Sequence, residues 1–107
     1  MLLSIHQNTF SDSRYSGAQV FYRGAESRGL AERLQTAFVQ NLDPTSRRLS
    51  KPANGVYLME HIERPGVLIE CGFLSNHQEE ARLRDPGYQK KLCCIVVSSL
   101  SVFLNNS

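Results

Sequence analysis

"VLIECGF", residues 67 to 73, is an apolar run with one interruption, Glu70. The turn residues Arg64-Pro65-Gly66 lead into it, and the run reads as a strand. A carboxylate among such neighbours is expected to be desolvated, which raises its pKa and prepares it for general-base work near neutral pH. The competing reading is a buried glutamate paired with an arginine such as Arg48 or Arg64.

A second strand of the same kind opens the chain. "LLSIHQN", residues 2 to 8, begins with a short apolar run that ends on His6. The run over 2–6 is continuous rather than alternating, so it predicts a strand covered on both faces, in the middle of a sheet. A histidine at the C-terminal end of such a strand can turn its imidazole into a cleft at the sheet edge, where open α/β sheets place ligands. Neutral imidazole is the commonest metal ligand, although a lone histidine there serves equally well as a hydrogen-bonded structural residue. Together, His6 and Glu70 have the logic of metal-assisted hydrolysis, one group holding an ion and the other taking a proton from water. His61 and His77 lie outside any ligand-spaced pair and read as surface or capping residues.

Between and beyond these strands, residues 18–23 ("AQVFYR") and 56–61 ("VYLMEH") read as strands, and 45–55 ("TSRRLSKPANG") as a loop. Ser27 is placed to cap a helix running to about Leu42, with Leu30, Leu34, Ala37, Phe38 and Leu42 on one face and Asp43-Pro44 at its end. Asn76 with Glu79 makes a capping-box pattern. Asp85-Pro86 starts another helix, whose apolar stripe is Tyr88, Leu92, Ile95, Val96, Leu100 and Phe103. Strands alternating with helices predict an α/β layered sheet with flanking helices.

The chain of 107 residues is enough for one small domain, and a net charge of +2 with no basic run interleaved with aromatics argues against nucleic acid. Three cysteines, Cys71, Cys93 and Cys94, are neither a disulfide framework nor a zinc pattern, and read as small apolar side chains. Alternation turns Cys71 to the strand face opposite Glu70, with no histidine placed to activate it, which argues against a thiol nucleophile. The apolar run near 92–104 is broken by serines and too short to span a membrane, and no signal peptide is visible.

"SIHQN", "SGAQVFY", "RRLSK", "NGVYLM" and "RPGVLIECGFLSN" occur in the order found in zinc-dependent N-acetylmuramoyl-L-alanine amidases, and the wording most resembles the spore-cortex members of that family. The resemblance implies a phosphorylase/hydrolase-like α/β fold, His6 as a Zn2+ ligand and Glu70 as the catalytic acid/base. It implies peptidoglycan as the partner, with hydrolysis of the amide between N-acetylmuramic acid and L-alanine, in the cell wall or spore cortex. Arg48 matches the family's arginine ahead of the third strand, and a role for it in binding substrate or orienting Glu70 is our own expectation. The family domain also has preceding strands, a helix and two further zinc ligands, a glycine-flanked histidine and a glutamate, and neither motif is in these residues. Residues 1–107 therefore resemble the C-terminal portion of a single amidase domain, expected to bind zinc poorly, to hydrolyse little and to self-associate through an exposed strand edge. The alternative is a non-catalytic remnant that binds peptidoglycan or a partner subunit.

Overall fold

The computed structural model describes residues 1–8, 14–53 and 64–105. Its most buried element is the strand formed by Gly66–Phe73, in which seven of eight residues are shielded and only Glu70 is partly open. In chain order the elements are β1 (Leu2–Asn8), β2 (Gln19–Arg23), α1 (Ala25–Leu42), β3 (Lys51–Pro52), β4 (Gly66–Phe73), α2 (His77–Arg84) and α3 (Pro86–Asn105). The strands make one mixed sheet of order β1-β4-β2-β3. β1 runs parallel to β4, and β2 runs antiparallel to it on the other side. β4 is thus hydrogen-bonded along both edges, and its apolar run supplies both faces of the sheet.

Alternation along β4 separates two apolar clusters. Val67, Ile69 and Cys71 face α1 and α3 in the larger one, with Leu30, Leu34 and Phe38 of α1 and Leu92, Ile95 and Val96 of α3. Leu68 faces the other way, against Leu2, Phe21 and Ala53. The helical stripes predicted for α1 and α3 are the residues that pack here, Tyr88, Leu100 and Phe103 at the margin included. Each fully buried Leu or Phe contributes about 1.5–3 kcal/mol from the area it removes from water.

Three local expectations are corrected. Ser27 is not the cap of α1, because Gly24, at φ 88, turns the chain out of β2 and the helix begins at Ala25. The Ser27 hydroxyl instead donates to the carbonyls of Arg23 and Gly24. β1 lies at the sheet edge among the described residues, as the expected exposed strand edge requires, with Ile5, His6 and Gln7 exposed. Part of the 45–55 loop, Lys51–Pro52, pairs beside β2. Cys93 and Cys94 lie on the solvent side of α3, and only Cys71 is buried. The predicted strand 56–61, with His61, lies outside the described residues.

The capping box at α2 is half realised. Asn76 accepts from the Glu79 backbone N–H at 3.1 Å, as the pattern requires. The Glu79 carboxylate does not fold back. It is 4% exposed and accepts from the backbone N–H of Gly17 at 2.7 Å and of Phe73 at 2.9 Å, while Arg82 donates to its second oxygen at 3.2 Å. Gly72 makes room for it, since a Cβ there would lie 2.7 Å from both Cγ and Oε1 of Glu79. At the next helix, Asp85 accepts from the Tyr88 N–H at 2.9 Å, as a cap before Pro86 should.

Gly72→Ala is expected to cost about 1–3 kcal/mol through overpacking. Glu79→Ala should cost a similar amount, about 1–3 kcal/mol, by orphaning two backbone donors. The double variant should lose clearly less than the sum, because removing the Glu79 side chain frees the space the new methyl needs. Urea denaturation of the four proteins measures this, and additive losses would show that the two residues are not in conflict.

Candidate active site

Parallel β1 and β4 end on the same side of the sheet, the side on which open α/β sheets bind ligands. His6 stands directly opposite Glu70, and Gln19 of β2 stands opposite Glu70 on its other side. Residues at one register position share a face, and neighbouring strands lie about 4.8 Å apart. His6, Glu70 and Gln19 therefore form a row across three strands, on the face away from Cys71. His6 and Glu70, far apart in sequence, are brought together as expected. Because β1 is an edge, His6 also borders the exposed groove formed with Ile5, Gln7, Cys71 and Val97 on the helix side.

Just past this row the β1–β4 register shifts, so that Asn8 pairs with Phe73, two residues on β1 matching three on β4. Simple alternation would send Phe73 after Cys71 towards the helices; the shift sets it level with Asn8 instead. Asn8 shares the parity of His6, and its Nδ2 donates to Glu70 Oε2 at 2.9 Å. The Leu74 N–H donates to the Asn8 carbonyl, holding the strand end closed. Asn8 was not singled out from the sequence, although its place two residues after His6 already put it on the same face. Neither Arg48 nor Arg64 is paired with Glu70: among the described residues its carboxylate accepts from Asn8. Full desolvation of Glu70 is also not realised, since it is the open position of β4.

Arg48 serves the site at one remove. Its Nη1 donates to Gln19 Oε1 at 3.0 Å, and its Nε and Nη2 donate to the Ser16 carbonyl at 3.1 and 2.8 Å. The guanidinium lies 5.5 Å from the Phe73 ring centroid, and Tyr15 packs against the same ring at 6.0 Å. Gly17, at φ 96, permits this approach, because a Cβ there would sit 3.2 Å from Arg48 Nε. Gln19, 2% exposed, is further held by donating to the Leu49 carbonyl at 2.8 Å.

Burial in the helix-side cluster, with Cys93 nearby, pushes the Cys71 thiol up to about 11, so it is protonated at neutral pH and is no nucleophile. His77, the first residue of α2, is exposed, in keeping with a surface role. Among the described residues no three His, Cys, Asp or Glu side chains are grouped to hold a metal ion. His6 is a single imidazole donor.

Residues 1–101 match the N-acetylmuramoyl-L-alanine amidase family. Over 102 residues the chain is 39% identical to the germination-specific N-acetylmuramoyl-L-alanine amidase of Bacillus subtilis, covering 94% of this chain and 43% of that protein. It is 30% identical over 95 residues to the N-acetylmuramoyl-L-alanine amidase LytC of the same species, covering 85% of this chain and 19% of that one. Among solved structures, the CwlD amidase of Clostridioides difficile, in complex with the GerS lipoprotein, is similar with a TM-score of 0.88 at 37% identity, over 98% of this chain and 54% of that one. An N-acetylmuramoyl-L-alanine amidase from Clostridium difficile 630 has a TM-score of 0.83 at 27% identity, over 97% and 57%. The chain thus spans less than half of these two curated relatives and a little over half of the solved ones. With its row of His6, Glu70 and Gln19 at the open end of a mixed α/β sheet, the chain belongs to the N-acetylmuramoyl-L-alanine amidase family.

Proposed function

We propose that residues 1–107 are the C-terminal portion of a single amidase catalytic domain that cleaves the amide between N-acetylmuramic acid and the L-alanine of the peptidoglycan stem. The observation that carries this reading is His6 level with Glu70 on adjacent parallel strands, with Asn8 fixed on the Glu70 carboxylate. The name of its germination-specific relative supports a place of action in the cell wall or spore cortex. No helix among the described residues is long and apolar enough to cross a membrane.

Glu70 is the acid/base of this proposal. Asn8 engages Oε2, which leaves Oε1 to face a water poised at the lactyl carbonyl. As that water attacks, Glu70 takes its proton, and the same carboxyl then protonates the departing amine of L-alanine. Arg48 positions this end of the sheet by clamping Gln19 and the Ser16 carbonyl, and keeps N–H groups for substrate.

The family's zinc does not fit these residues alone. A catalytic zinc takes three protein ligands, and the described residues bring His6 and no group of three. His6 is proposed as one donor of a site completed by groups beyond these. The same observation favours a second reading, in which the chain binds peptidoglycan and does not hydrolyse it.

Three outcomes are expected. Zinc titration followed by competition with a chromophoric chelator should give an affinity no tighter than micromolar, and nanomolar binding would overturn the single-donor account. Any release of L-alanine-terminated peptides from purified cell wall should fall about 10²–10⁴-fold in Glu70→Gln. Turnover unchanged in that variant would remove Glu70 from the chemistry, and sedimentation of the chain with cell wall in the absence of any release would favour the binding reading. Finally, the outer edge of β1, which has no strand beside it among the described residues and leaves Ile5 58% exposed, is proposed to drive self-association. Size-exclusion with light scattering should show oligomers that Ile5→Lys reduces; a wild-type monomer at all concentrations would discard the idea.

A further inference from the structure

Beside the Glu70 row lies a second group of side chains that the proton transfers do not use. Arg14, Tyr15, Ser16 and Arg48 line an open cleft of about 410 Å³. Arg48 is fixed there by three donated hydrogen bonds and by its stacking over Phe73. A guanidinium carries five N–H groups, so two remain for a ligand. Because the fold already holds it still, little side-chain freedom is lost when an anion binds. Arg14 adds a second cation at the rim, and Tyr15, 45% exposed, offers a ring beside them. Among the described residues, Glu79, tied into this loop cluster, is spent on the N–H groups of Gly17 and Phe73 and on Arg82.

Two independent routes join this cleft to Glu70. Arg48 is bonded to Gln19, which is level with Glu70 on β2. Phe73, under the guanidinium, pairs with Asn8, which is bonded to the Glu70 carboxylate. The cleft is therefore one side chain removed from the reacting position, on the side where β1 and β4 end.

We propose that this cleft is an anion subsite that takes the free α-carboxylate of the second stem residue, D-glutamate. That residue is joined to the rest of the stem through its γ-carboxyl, so its α-carboxylate is unblocked. It follows L-alanine directly, one residue step of about 3.8 Å beyond the residue whose amide is cut. An amide scissile at Glu70 thus carries its nearest carboxylate about one side chain away, the same separation that lies between Glu70 and the Arg48 cleft. The proposal rests on the amidase reading for the identity of the ligand, and its test does not require turnover.

The test compares two soluble probes by calorimetry and by protein chemical-shift changes on the full chain. They are N-acetylmuramoyl-L-alanyl-D-glutamate and the same molecule with its α-carboxylate amidated. The free acid is expected to bind about tenfold more tightly, with the preference shrinking as salt is raised. Arg14→Gln, a surface change, should reduce that preference, and Arg48→Lys should reduce it further. Arg48→Lys also loosens the Ser16 clamp, so the probe pair and Arg14→Gln decide the matter without it. Equal affinity for the two probes, a preference untouched by Arg14→Gln, or no binding of either at millimolar concentration would each overturn the subsite. Charge-dependent binding without hydrolysis leaves the subsite standing while the catalytic reading falls. Hydrolysis without the preference does the reverse.

Discussion

The site depends on one buried carboxylate that takes no part in the proposed chemistry. Glu79 reaches from α2 to the backbone of both Gly17 and Phe73, and Gly72 leaves the space it occupies. Charge-assisted bonds to backbone N–H groups are stronger than neutral ones, and two donors left without a partner in the interior would each be costly. The carboxylate therefore holds the end of β4 in a shape that plain strand geometry would not choose. The register shift beside it sets Phe73 level with Asn8 and lets Asn8 reach Glu70. On the other side the same carboxylate anchors the loop at Gly17, whose missing side chain admits Arg48. One interior anion thus fixes the neighbours of Glu70 on two sides.

The order of the sheet explains why the two chemical residues differ so much in exposure. Glu70 sits on the central strand with bonded neighbours on both edges, whereas His6 sits on an outer strand open to solvent among the described residues. A base needs a held, partly shielded carboxylate, and the central strand supplies it. A donor at the edge stands where another element could approach and contribute further groups. The division fits a chain that spans only part of its relatives, and on the proposed reading Glu70 is the better-formed half of the site.

Most of the sheet and the helical stripes were legible, because a continuous apolar run and a 3.6-residue period report burial directly. Leu30, Leu34 and Phe38 show this on α1, and Leu92, Ile95 and Val96 on α3. The pairing of His6 with Glu70 was legible for a different reason, since polar groups inside two apolar runs are not required by packing and the family motifs bracket both. The composition of β1 suits a strand covered on both faces, yet it lies exposed at an edge among the described residues, because composition records what a strand is suited to touch while exposure depends on what lies beside it. Asn8 escaped notice because its role comes from a register shift, and register is a property of two strands that neither sequence states alone. Glu79 was hidden by its own pattern: three residues after Asn76 it looks like a local cap, and only the tertiary approach of Gly17 and Phe73 redirects its oxygens.

A positioned general base contributes about 10²–10⁴-fold, whereas enzymes commonly exceed about 10⁶-fold over the uncatalysed reaction. The difference has to come from electrophilic help at the carbonyl and from holding the reactants together. One imidazole at an open edge cannot assemble the first of these by itself. The second is available here, since Arg48 is already rigid and the cleft beside it can hold the far side of a ligand in place. On the proposed reading, recognition is therefore built more completely than chemistry, and groups brought to the β1 edge would add rate to a site in which Glu70 is the proposed base and Arg48 lines the proposed cationic cleft.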